Sequence, residues 1–162
     1  MANTNKPGVV VIIADPDKQV FLVQDKTDTH PIPQARAKLS FWGGSIEEGE
    51  SAPAALMREL FEEIIVDPLV RAVIHNMRRW KEFELSQAEF GEATYQCTVY
   101  VSVFPAQKVL EMAQILDPPG RVTEGKPLLL TRSHWDKIKV GRAGPGFMAS
   151  LDVVLEEFLS LE

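Results

Sequence analysis

Residues 43–66, GGSIEEGESAPAALMRELFEEIIV, constrain this chain more than any other stretch. Two adjacent glycines mark a turn. Ser51 suits a helix N-cap, where its hydroxyl accepts from an otherwise unpaired amide, and Pro53 is tolerated in a first turn. Good helix formers follow from Ala52, which predicts a helix over about 51–65. At roughly 100° per residue, Leu56, Met57, Leu60, Phe61 and Ile64 fall on one apolar arc. Glu59, Glu62 and Glu63 group on the other side, with Arg58 beside them. Such carboxylates repel by roughly a few tenths of a kcal/mol per exposed pair, and a solvated helix face tolerates that. Their setting says more: a glycine turn ahead, Glu50, and an arginine placed to hold a neighbouring carboxylate. Hard oxygen ligands on a rigid helix suit Mg²⁺ or Mn²⁺.

Gly44, Glu50, Arg58, Glu59, Leu60, Glu62, Glu63 and Val66 stand at spacings that resemble the signature of the Nudix hydrolases. One position departs. Ile65 occupies the place of a family glycine, which would leave the helix in a left-handed conformation that a β-branched residue resists. Ile65 is therefore expected to keep negative φ and to pack into the core beside Phe61. Trp42 stands where the family often has proline.

The resemblance implies an α/β fold: a Nudix-like α/β/α sandwich with the acidic helix packed on a mixed β-sheet. It implies that Glu59, Glu62 and Glu63 hold the metal, joined by the Gly43 backbone carbonyl. A glutamate from a distant loop often contributes in relatives, and Glu124, in a Glu-Gly dipeptide ahead of a strand, is the candidate. Either Glu59 or Glu124 would serve as base, Arg58 would orient, and Glu50 would brace the junction from loop to helix.

Composition narrows the classes. A chain of 162 residues with 45% hydrophobic and 25% charged residues fits one soluble domain over 1–162. Residues 1–7 read as loose, and Leu161-Glu162 as a cloning remnant. No apolar run approaches the ~20 residues of a membrane span, so no membrane partner is expected. The single cysteine, Cys97, has no internal partner and reads as core, which suits a reducing cytoplasm. A net charge of −6 argues against long nucleic acid, which binds basic surfaces. It leaves open a small phosphorylated nucleoside held through a metal. Assembly as a homodimer is also left open.

In chain order, Val9–Ala14 and Val20–Gln24 around Asp15-Pro16-Asp17-Lys18 predict a hairpin. Residues 25–40 read as a surface loop, with His30 solvated. Leu69–Ile74 reads as a strand. The following basic and aromatic cluster, with Arg78, Arg79 and Trp80, is a candidate for substrate binding. Residues 82–93 read as a connecting loop, and strict alternation over 94–103 predicts a strand. Val109, Met112 and Leu116 have helical spacing, and Leu128–Leu130 forms a short strand. Ser133 is placed to cap a short helix through Ile138, and residues 141–146 form a hinge into a last amphipathic helix that includes Phe147.

The function this predicts is metal-dependent hydrolysis of the diphosphate in a nucleoside diphosphate linked to another group. A nucleotide-sugar, ADP-ribose or a modified nucleoside triphosphate would qualify. The alternative is a Nudix-like domain that binds or senses such a ligand without turnover.

Overall fold

A computed structural model describes residues 6–26, 38–86, 94–139 and 146–161. Its order is β1 (Gly8–Ala14), β2 (Val20–Asp25), β3 (Leu39–Ser40), β4 (Trp42–Ser45), α1 (Ala52–Glu63), α2 (Asp67–Asn76), β5 (Met77–Ser86) and β6 (Thr94–Val103). Then come α3 (Ala106–Leu116), β7 (Lys126–Thr131), α4 (Arg132–Lys139) and α5 (Leu151–Ser160). His30 and residues 87–93 and 141–145 of the expected loops lie outside the described residues, as do residues 1–5 and Glu162.

The apolar run of β1 fits a central strand covered on both faces. Val9, Val11 and Ile13 join one buried cluster with Leu56 and Leu60 of α1, Val70 and Val73 of α2, and Val109 and Met112 of α3. Val10, Ile12 and Ala14 join the other, with Trp135 of α4 and Val154, Leu155 and Phe158 of α5. Helices on both sides of one sheet make the expected α/β/α arrangement. The sheet runs β3-β2-β1-β6-β5, with β4 also on β1 and β7 also on β2. It is mixed, because β1 and β6 are parallel while the other pairings are antiparallel.

One edge of β1 is shared. β4 pairs with Gly8 to Val11, and β2 with Ile13 and Ala14. Trp42 fits this junction because it is fully buried and its indole N–H donates to the Leu22 carbonyl at 2.9 Å. The β1–β2 turn closes on the buried Asp15 side chain, which accepts from the amides of Asp17, Gln19 and Val20.

Several expectations are corrected. Residues 69–74 are helical, within α2. Pro68 in the first turn and Leu69, Val70 and Val73 on one buried face are a helical pattern that the β-branched residues obscured. Residues 82–86 belong to β5, with Phe83 and Leu85 buried and Glu82, Glu84 and Ser86 exposed. Thr131, and not Ser133, caps α4, its hydroxyl accepting from the His134 amide at 3.1 Å.

The exit of α1 also differs. The helix closes at Glu63, and Ile64 turns extended at φ −119°. Ile64 then forms an antiparallel bridge with Val122, and the Ile65 amide donates to the Arg121 carbonyl at 2.8 Å. Positive φ among the described non-glycine residues is confined to Lys18, Ala149 and Ser150, so Ile65 avoids it as expected. Its side chain does not join the core, however: Ile65 is 55% and Phe61 38% exposed, whereas Ile64 is fully buried. Once the chain turns extended, successive side chains alternate, and Ile64 takes the inward place.

Two substitutions test these faces by urea denaturation. Leu60→Ala should destabilise by roughly 2–5 kcal/mol, since Leu60 is fully buried. Ile65→Gly should cost less than about 1 kcal/mol, mostly through the entropy of the unfolded backbone. A larger loss for Ile65→Gly than for Leu60→Ala would reverse the assignment.

Candidate active site

The site is built where α1 crosses β4. Ser51 caps α1, its hydroxyl accepting from the Ala54 amide at 3.3 Å. Arg58, two turns in, reaches back along the helix and grips Glu50 with two hydrogen bonds, Nε to Oε2 at 2.8 Å and Nη2 to Oε1 at 2.9 Å. Nη2 also donates to the Ser45 carbonyl at 3.0 Å, which ties the end of β4 to the helix. The guanidinium holds the Glu50 carboxyl down at about 2. From the same group, Nη1 lies 3.3 Å from Glu62 Oε1 and 3.5 Å from Glu59 Oε1. Arg58 therefore fixes the carboxylates of its own helix while Glu50 fixes Arg58.

The glycines set how close helix and strand can come. A Cβ on Gly44 would overlap the Glu59 carboxylate, and one on Gly43, which sits at φ +145°, would overlap the Val9 carbonyl. With no side chain there, the Gly43 amide donates to Glu63 Oε1 at 3.1 Å. Glu63 is only 8% exposed, so it lies under the strand, whereas Glu62 beside it is exposed.

Glu124 arrives from the far side of the sequence. The Thr123 amide donates to the Glu63 carbonyl and the Thr123 hydroxyl to the Glu62 carbonyl, which pins this loop to the last turn of α1. Gly125, at φ +72°, packs its backbone where a Cβ would overlap the Asp25 carbonyl. The loop thus spans from α1 to the end of β2, with Glu124 between them.

Sequence reading missed Lys26, which it left in the surface loop over 25–40. Lys26 is 8% exposed, and its Nζ lies 3.0 Å from Glu124 Oε1. Gln24 was missed too; it is fully buried, and its side-chain amide donates to the Glu124 carbonyl. The usable signal was a glutamine and a lysine closing an otherwise apolar strand, but only the pairing of β2 with β7 brings them to Glu124.

Arg78, Arg79 and Trp80 are not brought to this cluster. They lie on β5, which pairs with β6, whereas β4 lies on the other side of β1. Trp80 packs edge-on to Phe83 and Phe158, with centroids 5.4 Å apart in each pair, on the sheet face opposite α1. Arg78 and Arg79 are exposed.

The electrostatics follow from burial. Burial pushes the Glu63 carboxyl up to about 8; Lys26 and the Gly43 amide oppose the rise, and the Glu59 and Glu124 charges add to it. Glu59, half-buried, is raised as well, by burial first and then by Glu62, against Arg58 and Lys26. Among the described residues, no three His, Cys, Asp or Glu side chains converge as a ready-made metal site. Arg58 draws Glu62 outward and Lys26 draws Glu124. The donor chemistry nonetheless fits a hard divalent cation, because a buried carboxylate oxygen with one amide donor, close to two further carboxylates, calls for positive charge.

The pH dependence has a definite sign. Glu63 is protonated in both states below its ordinary value of 4.5, and above that the unfolded chain ionises first, until the folded carboxyl follows near 8. Metal-free protein should therefore lose stability as pH rises through this window. Glu63→Gln should flatten that slope and exceed wild type in stability at pH 8. Urea denaturation in EDTA at pH 5 and pH 8 measures both, and identical slopes for the two proteins would show that Glu63 is not held neutral.

The comparisons agree with this architecture. Dihydroneopterin triphosphate diphosphatase of Escherichia coli (strain K12) is 36% identical over 81 residues, 48% of this chain and 47% of that protein. The chain spans about half the length of the curated relatives it matches. Among solved structures, a NUDIX hydrolase from Alicyclobacillus acidocaldarius superposes with a TM-score of 0.62 at 12% identity, over 99% of this chain and 94% of that one. A bifunctional NMN adenylyltransferase/ADP ribose pyrophosphatase from Francisella tularensis, complexed with AMP and a Mn ion, gives 0.59 at 18% identity, over 96% of this chain and 42% of that one. These structural likenesses speak for the fold. A family model of the NUDIX domain matches residues 4–124, most of the chain and all of the cluster just described, and the protein belongs to the NUDIX domain family.

Proposed function

We propose that this protein is a divalent-metal-dependent hydrolase of phosphoric anhydrides. Its substrate would be a nucleoside diphosphate linked to another group: a nucleotide-sugar, ADP-ribose or a modified nucleoside triphosphate. The observation that carries the reading is Glu63, buried beneath Gly43 and close to Glu59 and Glu124. An acidic helix face that only solvates the protein has no reason to bury a carboxylate at the expense of stability. Family membership supports hydrolysis, and the relatives' names supply phosphorylated small molecules as the substrate class.

In this reading Glu59, Glu62, Glu63 and the Gly43 carbonyl would hold Mg²⁺ or Mn²⁺. The bound ion would screen the phosphate oxygens and acidify a water. The remaining work belongs to the chain. Glu59 or Glu124 takes the proton of the water as its oxygen attacks phosphorus and the bridging P–O bond breaks. Arg58, itself held by Glu50, keeps Glu59 and Glu62 in place and does not react. Gly43 and Gly44 let β4 lie directly against the Glu59 and Glu63 carboxylates. A net charge of −6 favours a small substrate held through a metal over long nucleic acid.

The test is phosphate release from a panel of nucleoside diphosphate compounds, with Mg²⁺ and with EDTA. Hydrolysis should require the metal, and Glu62→Gln and Glu63→Gln should each lower kcat at least ~100-fold while the protein stays folded. Full activity in EDTA, or wild-type turnover by both variants, would remove the assignment. Tight ligand binding without phosphate release would favour a sensing domain instead.

A further inference from the structure

We infer that Lys26 is an internal counter-cation of the carboxylate cluster, one that a divalent ion must displace in order to bind. The inference rests on reading the cluster as a metal site, and it concerns a residue to which that reading gives no part.

A lysine is seldom buried without a partner, because its long stem ordinarily carries the ammonium out to water. Lys26 does not reach water; its side chain is 10% exposed. Its backbone amide donates to the Lys38 carbonyl at 3.0 Å, and a Cβ on Gly125 would press against its Cα. Gln24, one residue before Asp25, anchors the Glu124 backbone. The chain is thus held on both sides so that Nζ meets Glu124 at 3.0 Å. The same positive charge also acts on Glu59 and Glu63. Arg58 works differently: it approaches Glu59 and Glu62 from the Glu50 side and is tied there by three further hydrogen bonds, two to Glu50 and one to Ser45.

Among the described residues, the buried ammonium of Lys26 therefore pairs with Glu124 and acts electrostatically on Glu59 and Glu63. A divalent ion entering among them meets both the carboxylates it needs and an ammonium that repels it. Linkage makes the effect reciprocal: the part of the Lys26 stabilisation that is lost on metal entry is subtracted from metal affinity. Metal binding should in turn release the ammonium from Glu124.

The experiment compares wild type, Lys26→Met and Lys26→Arg. Mn²⁺ binding is followed by the electron paramagnetic resonance signal of the free ion, and melting temperature is measured in EDTA. Lys26→Met should melt lower without metal and bind Mn²⁺ about 10-fold more tightly, whereas Lys26→Arg should resemble wild type. Wild-type protein supplies a second reading that no folding defect can spoil. Acetic anhydride labelling of Lys26, located by mass spectrometry, should rise severalfold when Mn²⁺ is added. Equal or weaker Mn²⁺ binding by Lys26→Met, or unchanged labelling of wild type that does bind Mn²⁺, would overturn the inference and leave the metal site standing. Lys26 would then be a strut for Glu124. Absence of Mn²⁺ binding by every protein would instead remove the metal reading, and this inference with it.

Discussion

The structure around the cluster depends on how closely α1 can approach β4. Backbone without side chains at Gly43 and Gly44 lets the helix bring Glu59 and Glu63 against the strand, where any Cβ would collide with a carboxylate or with Val9. Everything else in the site is arranged to hold that approach. Leu56 and Leu60 seat the helix on the sheet, and Trp42, in the same buried cluster, fixes β4 to β2. The apolar contacts supply the energy of docking, and the glycines set its distance.

Docking of this kind concentrates negative charge, and the fold compensates it in two ways. On the outer side Arg58 bridges Glu50, Glu59, Glu62 and the Ser45 carbonyl, which ties the entry loop and the end of β4 to the helix. On the inner side Lys26 meets Glu124 within reach of Glu59 and Glu63. The two cations differ in consequence. Arginine is always charged and grips with a planar fork, so it suits permanent positioning; an ammonium is a compact point charge that a metal ion can replace. The Glu63 carboxyl, raised to about 8 by its burial, is the residual cost that neither cation removes.

The departure at Ile65 shows how a fold absorbs a missing glycine. The helix does not force a bulky residue into a left-handed turn. It ends at Glu63, and the chain leaves in extended conformation, bridged from Ile64 to Val122 and hydrogen-bonded from the Ile65 amide to the Arg121 carbonyl. That exit also aligns Thr123 with the Glu62 and Glu63 carbonyls, so the altered turn and the placement of Glu124 are one feature. Upstream, Glu63 is held by α1 and by the Gly43 amide of β4, and not by the turn.

By itself the sequence determined a helix over about 51–65, which the structure closes at Glu63, its cap at Ser51, the buried side with Leu56 and Leu60, and the placing of Arg58 beside Glu59 and Glu62. These rest on local geometry: a 3.6-residue period and an N-cap are written in neighbouring residues. The hairpin β1–β2 and the strand β6 were legible for the same reason, although Thr98, Tyr100 and Ser102 on the face expected to be polar are buried and Val103 is exposed. Local rules failed where two patterns overlap, as in α2, whose β-branched residues resemble a strand until Leu69, Val70 and Val73 are seen sharing one face. They failed again at Ile65, since whether Ile64 or Ile65 turns inward depends on a bridging loop residue nearly sixty positions away. Tertiary structure alone decided that Glu63 is buried, that Lys26 faces Glu124, and that Trp80 belongs to the face of α5. Each of these is set by strand pairing across long separations in sequence, and a carboxylate or an ammonium carries no mark in the sequence of which strand will come to lie over it.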